Sequence, residues 1–218
     1  MFKKIYNLFK ILRKLSTSGA VEVLDEIKPI PKFIKFFFNI FSFRHKNKVD
    51  KLNQTSGEKL CDALQGMGTT FIKLGQFLAT RPDIIGDEVS KKLEKLQDRL
   101  PAFDTQEAKK IIKREIGQNY YNNILSLEEP IAAASIAQVH FAKIKIGSSE
   151  KELAIKILRP NIHQTVNEEL DALMFLAYII ENLFKKTKRL KLIEIIYLLK
   201  EITNVEMDLR FEAAAASE

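Results

Sequence analysis

The chain is poor in the residues that build disulfides and metal sites. It has a single cysteine, Cys61, which excludes an internal disulfide and suits a reducing compartment. Its three histidines, His45, His140 and His163, are scattered without the spacing of metal ligands, so we predict no metal site from them. With 46% hydrophobic and 29% charged residues, the chain can still bury a core.

Acidic residues are absent before Glu22, and the net charge of +7 is unevenly distributed. Residues 1–50 hold 11 Lys or Arg against 4 Asp or Glu, whereas residues 51–218 hold 24 of each kind. A nucleic-acid-binding core would carry its basic face on the folded domain, so we predict no nucleic-acid partner. The pattern favours a basic leader or membrane-surface arm.

The leader also lacks an apolar run long enough to span a bilayer, because its longest uncharged run in the Phe-rich second segment is residues 36–43. Over residues 1–15 apolar side chains follow a helical period. The opposite side carries Lys3, Asn7, Lys10 and Lys14. Two interpretations fit equally: an interfacial helix on an anionic membrane, or a helix that packs on the rest of the protein. The excess of Lys over Arg disfavours a cleaved mitochondrial presequence, and the interrupting charges are untypical of a secretory signal peptide.

The order of periodic segments predicts an α+β fold with three parts. A basic amphipathic leader covers residues 1–50, with a polar linker over residues 44–57, and a helical extension covers residues 51–118. The predicted helices of the extension cover 58–80, ended by Pro82, then 87–99, capped by Asp87, and 104–116, capped by Asp104. The third part, residues 119–218, carries a small antiparallel sheet and further helices.

Within this third part, residues 137–146 and 151–158 predict two antiparallel strands joined by a turn at residues 147–149. A helix is predicted over residues 164–186, and its stretch "ALMFLAYII" favours a buried helix over a membrane span. A last helix is predicted over residues 190–217.

Lys156 lies in the middle of "ELAIKIL", where burial is costly without an anionic partner, although an edge-strand lysine in water is the simpler interpretation. "PIAAAS" precedes the first predicted strand and by itself indicates only a strand of small residues. In "EMDLRFEAAAASE" a continuous helix would place Asp208 and Glu212 on one face, and Glu206 could pair with Arg210. A solvated acidic face is the alternative.

The stretch "IKLGQFLATRPDIIGDE" carries Lys73, Gly75 and Gln76 on an otherwise apolar segment. Lys73 and Gln76 are helical neighbours at i,i+3, and Gly75 would let another backbone approach. A solvated helix face with a packing glycine is the simpler interpretation. An acidic helix at residues 206–212 would supply a partner for Lys73.

Four short motifs in this order, "KLGQ", "AAAS", "AIK" and "EMD…E", make the chain resemble the UbiB family of atypical kinase-like ATPases over about residues 58–218. The resemblance implies a helical extension followed by a kinase-like N-lobe. It implies that Lys156 positions the phosphates of ATP and that Glu212 is its ion-pair partner. The implied nucleotide loop consists of Ala132, Ala133, Ala134 and Ser135. The implied lid over the cleft consists of Lys73, Gly75, Gln76, Glu206 and Asp208.

The resemblance further implies ATP with Mg²⁺ as cofactor and a role in ubiquinone biosynthesis. Implied partners are a membrane surface, lipid and other quinone-biosynthesis enzymes. The implied location is peripheral, on the cytoplasmic face of a bacterial inner membrane, or alternatively on the matrix side of the mitochondrial inner membrane.

The sequence has no Asp-Phe-Gly and no His followed two residues later by Asp, so we predict that the metal-binding C-lobe is missing and no Mg²⁺ ligand is present. Whether the chain is an enzyme is therefore left open, and we expect it to be inactive alone. A separate polypeptide could supply the C-lobe. The alternatives are a membrane-associated regulatory module without catalysis and a degraded fragment.

Overall fold

A computed structural model describes residues 2–27, 32, 35–36, 54–96, 100–183 and 185–216. Most of the predicted linker over 44–57 and of the Phe-rich part of the leader lies outside these residues. The chain divides into two compact units. The first comprises Met1–Gln97 and Gln164–Val205, and the second comprises Asp98–His163 and Glu206–Glu218. In this division residues 164–205 group with residues 1–97. The three parts predicted from the sequence stay a prediction.

Helices come before and after one run of three strands. The helices before the sheet are α1 (Phe2–Thr17), α2 (Ala20–Ile27), α3 (Ser56–Met67), α4 (Thr69–Ala79), α5 (Pro82–Ile85), α6 (Asp87–Leu93) and α7 (Thr105–Tyr121). The strands are β1 (Ile124–Ala133), β2 (Ala137–Ile146) and β3 (Ser149–Leu158). The remaining helices are α8 (Ile162–Leu183), a 3₁₀ helix (Lys185–Leu190), α9 (Leu192–Glu206) and α10 (Leu209–Ala216). The predicted α+β class is confirmed.

The predicted helix over 58–80 is wrong in one respect, because it is two helices. Gly68 has φ +99°, a value that L side chains rarely adopt, and it separates α3 from α4. The start of α3 is fixed by a capping box in which the Thr55 hydroxyl accepts from the Glu58 N–H and the Glu58 carboxylate accepts from the Thr55 N–H. Asp87 is not a cap, since Gly86 holds that position and α6 ends at Leu93.

The second unit is built around the antiparallel sheet β1-β2-β3. Strand β2 has the predicted limits and β3 begins two residues earlier than predicted. Strand β1 is not predicted as a whole, because only "PIAAAS" at its end indicates a strand in the sequence. Helix α7 packs on one face of the sheet, where Ala108, Ile111 and Ile112 contact Ile157. Its predicted cap is confirmed, because Asp104 accepts from the N–H groups of Gln106 and Glu107.

The predicted helix over 190–217 is also wrong, because the chain breaks it after Glu206. Asp208 lies between α9 and α10, and its Oδ1 accepts from the backbone N–H of Arg210 at 3.2 Å. That hydrogen bond starts a new helix in the manner of an N-cap. Asp208 and Glu212 therefore do not share the face of one continuous helix.

Candidate functional site

The face of the sheet opposite α7 presents a row of side chains that the strand register aligns. Ala132 on β1 opposes Val139 on β2, and Val139 opposes Lys156 on β3. Because opposed residues of antiparallel strands share a face, these three lie side by side across the sheet. Ala154 is on the same face, two residues before Lys156. The row combines small apolar side chains with one cation.

Lys156 and Glu212 are brought together from positions 56 residues apart in the chain. Lys156 Nζ lies 2.5 Å from Glu212 Oε2, and the two side chains are 35% and 59% exposed. Glu212 stands in the first turn of α10, where the helix dipole favours a negative charge. The arrangement holds an oriented ammonium group at an accessible place on the sheet. The catalytic roles assigned to this pair stay predictions.

The residues of the implied nucleotide loop occupy the end of β1 and the turn into β2. Ala132 and Ala133 are strand residues, and only residues 134–136 form the connection. The Ala134 N–H donates to the Ala137 carbonyl at 2.8 Å, which closes the turn. Ser135 is fully buried, so its hydroxyl is not presented to solvent in this conformation. The connection is therefore a short turn held by a backbone hydrogen bond, not a long loop that could close around a ligand.

Arg159, which the sequence analysis missed, provides that anchor. Its guanidinium donates to the carbonyl of Ala134 through Nε at 2.9 Å and Nη2 at 2.7 Å. It also donates to the carbonyls of Pro101 at 2.9 Å and Leu100 at 3.3 Å. An arginine directly before Pro160, at the end of a strand, was the only available signal. Arg159 fixes both the turn and the segment leading to α7.

A second anchor lies on the covered face of the sheet, in the buried pair Gln138 and His140. The Gln138 side chain accepts from the Phe103 N–H at 2.8 Å and donates to the Phe103 carbonyl at 3.1 Å. This orientation makes its amide nitrogen the donor to His140 Nε2, 2.8 Å away. His140 Nδ1–H then donates to the Glu128 carbonyl at 2.7 Å. His140 thus has a structural role behind the site.

Asp208 is bound by Arg210, the arginine for which Glu206 is the partner predicted from the sequence. Arg210 Nε and Nη2 donate to the two carboxylate oxygens of Asp208 at 2.7 and 2.5 Å. These charge-assisted hydrogen bonds lower the pKa of Asp208 from 3.8 to about 2. Asp208 is therefore fully ionised at neutral pH.

Lys73, Gly75 and Gln76 lie on α4 in the first unit, whereas Glu206 and Asp208 belong to the second. The pairing of Lys73 with the acidic residues stays a prediction. A Cβ added to Gly75 would lie 2.8 Å from a methyl group of Leu64 and 3.3 Å from one of Leu96. The missing side chain at Gly75 therefore makes room for two leucine side chains. The sequence had indicated room for another backbone. This is the packing glycine of the simpler interpretation.

Helix α1 packs into the first unit, where Ile11 and Leu12 are buried. Leu176 of α8 packs against the cluster that Leu12 forms with Val21. Asn7 and Lys14, predicted to face away from the apolar stripe, bind Glu168 and Glu169 of α8. The outward side carries Tyr6, Phe9, Lys10 and Arg13. Among the described residues, no helix combines the length and the apolar character needed to cross a membrane.

The residues of the sheet face fit a nucleotide better than they fit a metal ion. Lys156 can contact phosphate oxygens, and Val139 and Ala154 offer an apolar surface for a base. Over residues 2–27, 32, 35–36, 54–96, 100–183 and 185–216 there is no group of three His, Cys, Asp or Glu that could hold a metal. Magnesium commonly uses one or two carboxylates together with the substrate's phosphates, so it does not require such a group.

Comparison with known proteins identifies the family of this chain. Residues 95–218 match the family model described as the ABC1 atypical kinase-like domain. Proteins named "Probable protein kinase UbiB" are similar over nearly the whole chain. The one from Histophilus somni is 38% identical over 216 residues, covering 97% of this chain and 39% of the relative. The one from Pseudomonas aeruginosa is 37% identical over 215 residues, covering 98% and 40%. The chain therefore spans about 40% of the length of these curated relatives.

Proposed function

Because this chain belongs to the ABC1 atypical kinase-like family, we propose that its second unit holds the nucleotide of a UbiB-type kinase-like ATPase. Lys156 binds the phosphates, and Glu212 positions its ammonium group. Ala132, Val139 and Ala154 contact the base or ribose. When bound with Mg²⁺, the nucleotide supplies the transferable phosphoryl group.

The ion pair between Lys156 and Glu212 carries this proposal. A lysine whose chain neighbours are apolar strand residues gains little from an exposed ion pair, which contributes at most about 1 kcal/mol. The pair nevertheless joins β3 to the first turn of a helix 56 residues later. Kinase-like sites use such a pair to aim the ammonium group at the α- and β-phosphates. Its exposure leaves room for an anion to approach Lys156.

The proposed cellular role is ubiquinone biosynthesis, which the name of the relatives implies. The chain would act peripherally at a membrane, on the cytoplasmic face in a bacterium, together with other quinone-biosynthesis enzymes. The outward side of α1 supports this location, because Tyr6 and Phe9 are 68% and 56% exposed beside Lys10 and Arg13. Aromatic and basic side chains together suit an anionic lipid surface.

We also propose that the chain does not turn over ATP alone. Phosphoryl transfer needs groups that hold Mg²⁺ and orient the nucleophile. About 60% of the length of the curated relatives lies outside the part that this chain matches. That unmatched portion would provide these groups. The lid role implied for Lys73, Gly75, Gln76, Glu206 and Asp208 stays a prediction.

Binding of a fluorescent, non-hydrolysable ATP analogue to the full chain tests the nucleotide site. We expect Lys156→Ala to weaken binding at least tenfold, because a charge-assisted phosphate contact contributes about 1.5–3 kcal/mol. Lys143→Ala is the matched control, since Lys143 lies on the same face of the sheet and pairs with Glu152 at 3.5 Å. Equal affinities of the two variants would contradict the site. Robust Mg-dependent hydrolysis by the isolated chain, abolished by Lys156→Ala, would contradict the proposed inactivity.

A membrane-associated interaction module without nucleotide chemistry is the second candidate, favoured by the exposed aromatic residues of α1. Deleting the leader is a poor test, because Ile11 and Leu12 belong to the core. The double variant Tyr6→Ser and Phe9→Ser changes only outward side chains. We expect it to reduce flotation with anionic vesicles. Vesicle binding together with undetectable analogue binding would favour this second candidate.

A further inference from the structure

The connection between α8 and α9 is rich in Lys and Arg, although residues 51–218 as a whole hold equal numbers of basic and acidic residues. Its sequence is "KKTKRLK", with five Lys or Arg in residues 185–191 and no acidic residue. The segment forms the 3₁₀ helix Lys185–Leu190 followed by Lys191. We name residues 185–191 the basic turn.

The acidic side chains nearest in sequence to the basic turn already have partners. Glu181 accepts from the backbone N–H of Ile193 at 3.1 Å. Glu194 binds Lys191 at 2.9 Å. Lys188 and Arg189 have exposed side chains. At least these two cations are therefore directed to solvent at the connection.

Exposed apolar side chains lie along the second half of α8, which leads into the basic turn. Phe175 and Tyr178 are one helical turn apart and are 52% and 58% exposed. Leu183, the last residue of α8, is 67% exposed. Aliphatic and aromatic side chains in water beside a cluster of cations are costly unless a surface covers them.

We propose that the basic turn and the adjoining end of α8 form a contact site for anionic phospholipid. Clusters of four or more Lys or Arg bind anionic headgroups, and each residue near the surface adds about a factor of five to binding. Tyr and Leu side chains beside them suit the interface between headgroups and acyl chains. An acidic protein surface would satisfy the cations and would leave the hydrocarbon of Leu183 in water.

This inference rests on the membrane association proposed above and assigns it a second site, distinct from α1. It also explains how a chain whose residues 51–218 are electrically balanced could keep the first unit on a membrane. Helices α1 and α8 contact each other within that unit through Asn7 and Glu168 and through Lys14 and Glu169. Both candidate contacts therefore belong to the first unit.

Flotation of the full chain with vesicles tests the site. The vesicles are of phosphatidylcholine, alone or with part of it replaced by phosphatidylglycerol. We expect Lys188→Gln with Arg189→Gln to reduce partition into the anionic vesicles by roughly tenfold or more. The control, Lys91→Gln with Lys95→Gln, removes the same charge from two exposed positions of the first unit and should change binding less than about twofold. Leu183→Ser should reduce it about fivefold.

Each outcome supports or overturns the site. Equal losses in the two double variants would show that only net charge matters and would overturn it. Unchanged binding of Leu183→Ser, together with loss of binding to soluble polyglutamate in the Lys188 and Arg189 variant, would identify an acidic polypeptide as the ligand and also overturn it. If the wild type binds no vesicle, the membrane part of the proposed function fails as well. ATP-analogue binding, measured on the same samples, reports separately on the nucleotide site.

Discussion

Two lysine–glutamate pairs, one in each unit, have the same N–O distance but differ in how far the carboxylate is exposed to solvent. In the first unit Lys14 Nζ lies 2.5 Å from Glu169, whose side chain is 8% exposed. In the second unit Lys156 Nζ lies 2.5 Å from Glu212, whose side chain is 59% exposed. Separating a buried carboxylate from its cation leaves an uncompensated charge away from water, whereas an exposed pair leaves its ammonium group accessible to an anion. Distance alone therefore does not indicate whether such a pair is structural or, as we propose for Lys156 and Glu212, belongs to a binding site.

Further contacts of Lys14 strengthen this contrast. Its ammonium group also donates to the Met67 carbonyl at 3.0 Å, at the end of α3, and lies 5.6 Å from the centre of the Phe71 ring. It thereby joins α1, α3, α4 and α8. A cation near the carboxyl end of a helix is favourable because the last carbonyls have no partner within the helix.

The largest expected effect is that of Lys14→Ala. The change leaves Glu169 buried without a counter-charge, so we expect the free energy of unfolding to fall by about 3 kcal/mol. Urea denaturation measures the loss. Lys10→Ala is the control, since Lys10 is exposed on the same helix and should change stability by less than about 0.5 kcal/mol. Similar small losses in both variants would show that the pair is not structural.

Arg159→Ala should have the next largest effect, because Arg159 is a cation with a structural role in the second unit. The substitution leaves the Ala134, Leu100 and Pro101 carbonyls without their donor, so we expect a loss of about 2 kcal/mol. Arg114→Ala is the matched control, because Arg114 is exposed and pairs only locally with Glu115. Hydrogen exchange at Ala134 to Ile136 should rise in the Arg159 variant alone. Unchanged exchange there would show that Arg159 does not hold the turn.

Lys156→Ala should change stability by less than about 1 kcal/mol, because the pair with Glu212 is exposed. Thermal or urea unfolding of the variant measures this. A loss as large as that of Lys14→Ala would mean that Lys156 is a structural residue and would remove the contrast between the two pairs.

The pair of Glu58 with Lys92, whose side chains are 42% and 28% exposed, should show its effect mainly in the pH dependence of stability. Hydrogen bonding to Lys92 lowers the pKa of Glu58 from 4.5 to about 2. The lower value in the folded state means that this carboxylate stabilises the fold above pH 4.5 and that its contribution is lost as the pH falls towards 2. Glu58→Gln should flatten the acid side of a plot of stability against pH. Parallel profiles for wild type and variant would refute this role.

Much of the fold followed from local patterns in the sequence. Strand β2 and the cap at Asp104 could be predicted because alternation and capping depend on neighbouring residues only. Strand β1 was missed because Pro130 and its shifted registers with β2 interrupt the alternation. The inward direction of Lys14 was also missed, since it depends on Glu169, a residue 155 positions away.

Local sequence patterns are limited in the same way for the residues of the candidate site. Lys156 and Glu212 could be named from the resemblance, which carries long-range information that periodicity lacks. Arg159 could not, because its partners are backbone carbonyls and any residue supplies a carbonyl. The break at Asp208 was hidden because Asp is also tolerated within helices, and only the hydrogen bond to the Arg210 N–H defines the new start.

Labelling with an acyl-phosphate derivative of ATP, which acylates lysines beside bound phosphates, tests the central claim most directly. The full chain is labelled with and without excess ATP, and modified peptides are quantified by mass spectrometry. We expect strong labelling of Lys156 that ATP suppresses, with little labelling of Lys14 and no ATP protection of Lys143. Labelling of Lys156 equal to that of Lys143 and unaffected by ATP would contradict the nucleotide site.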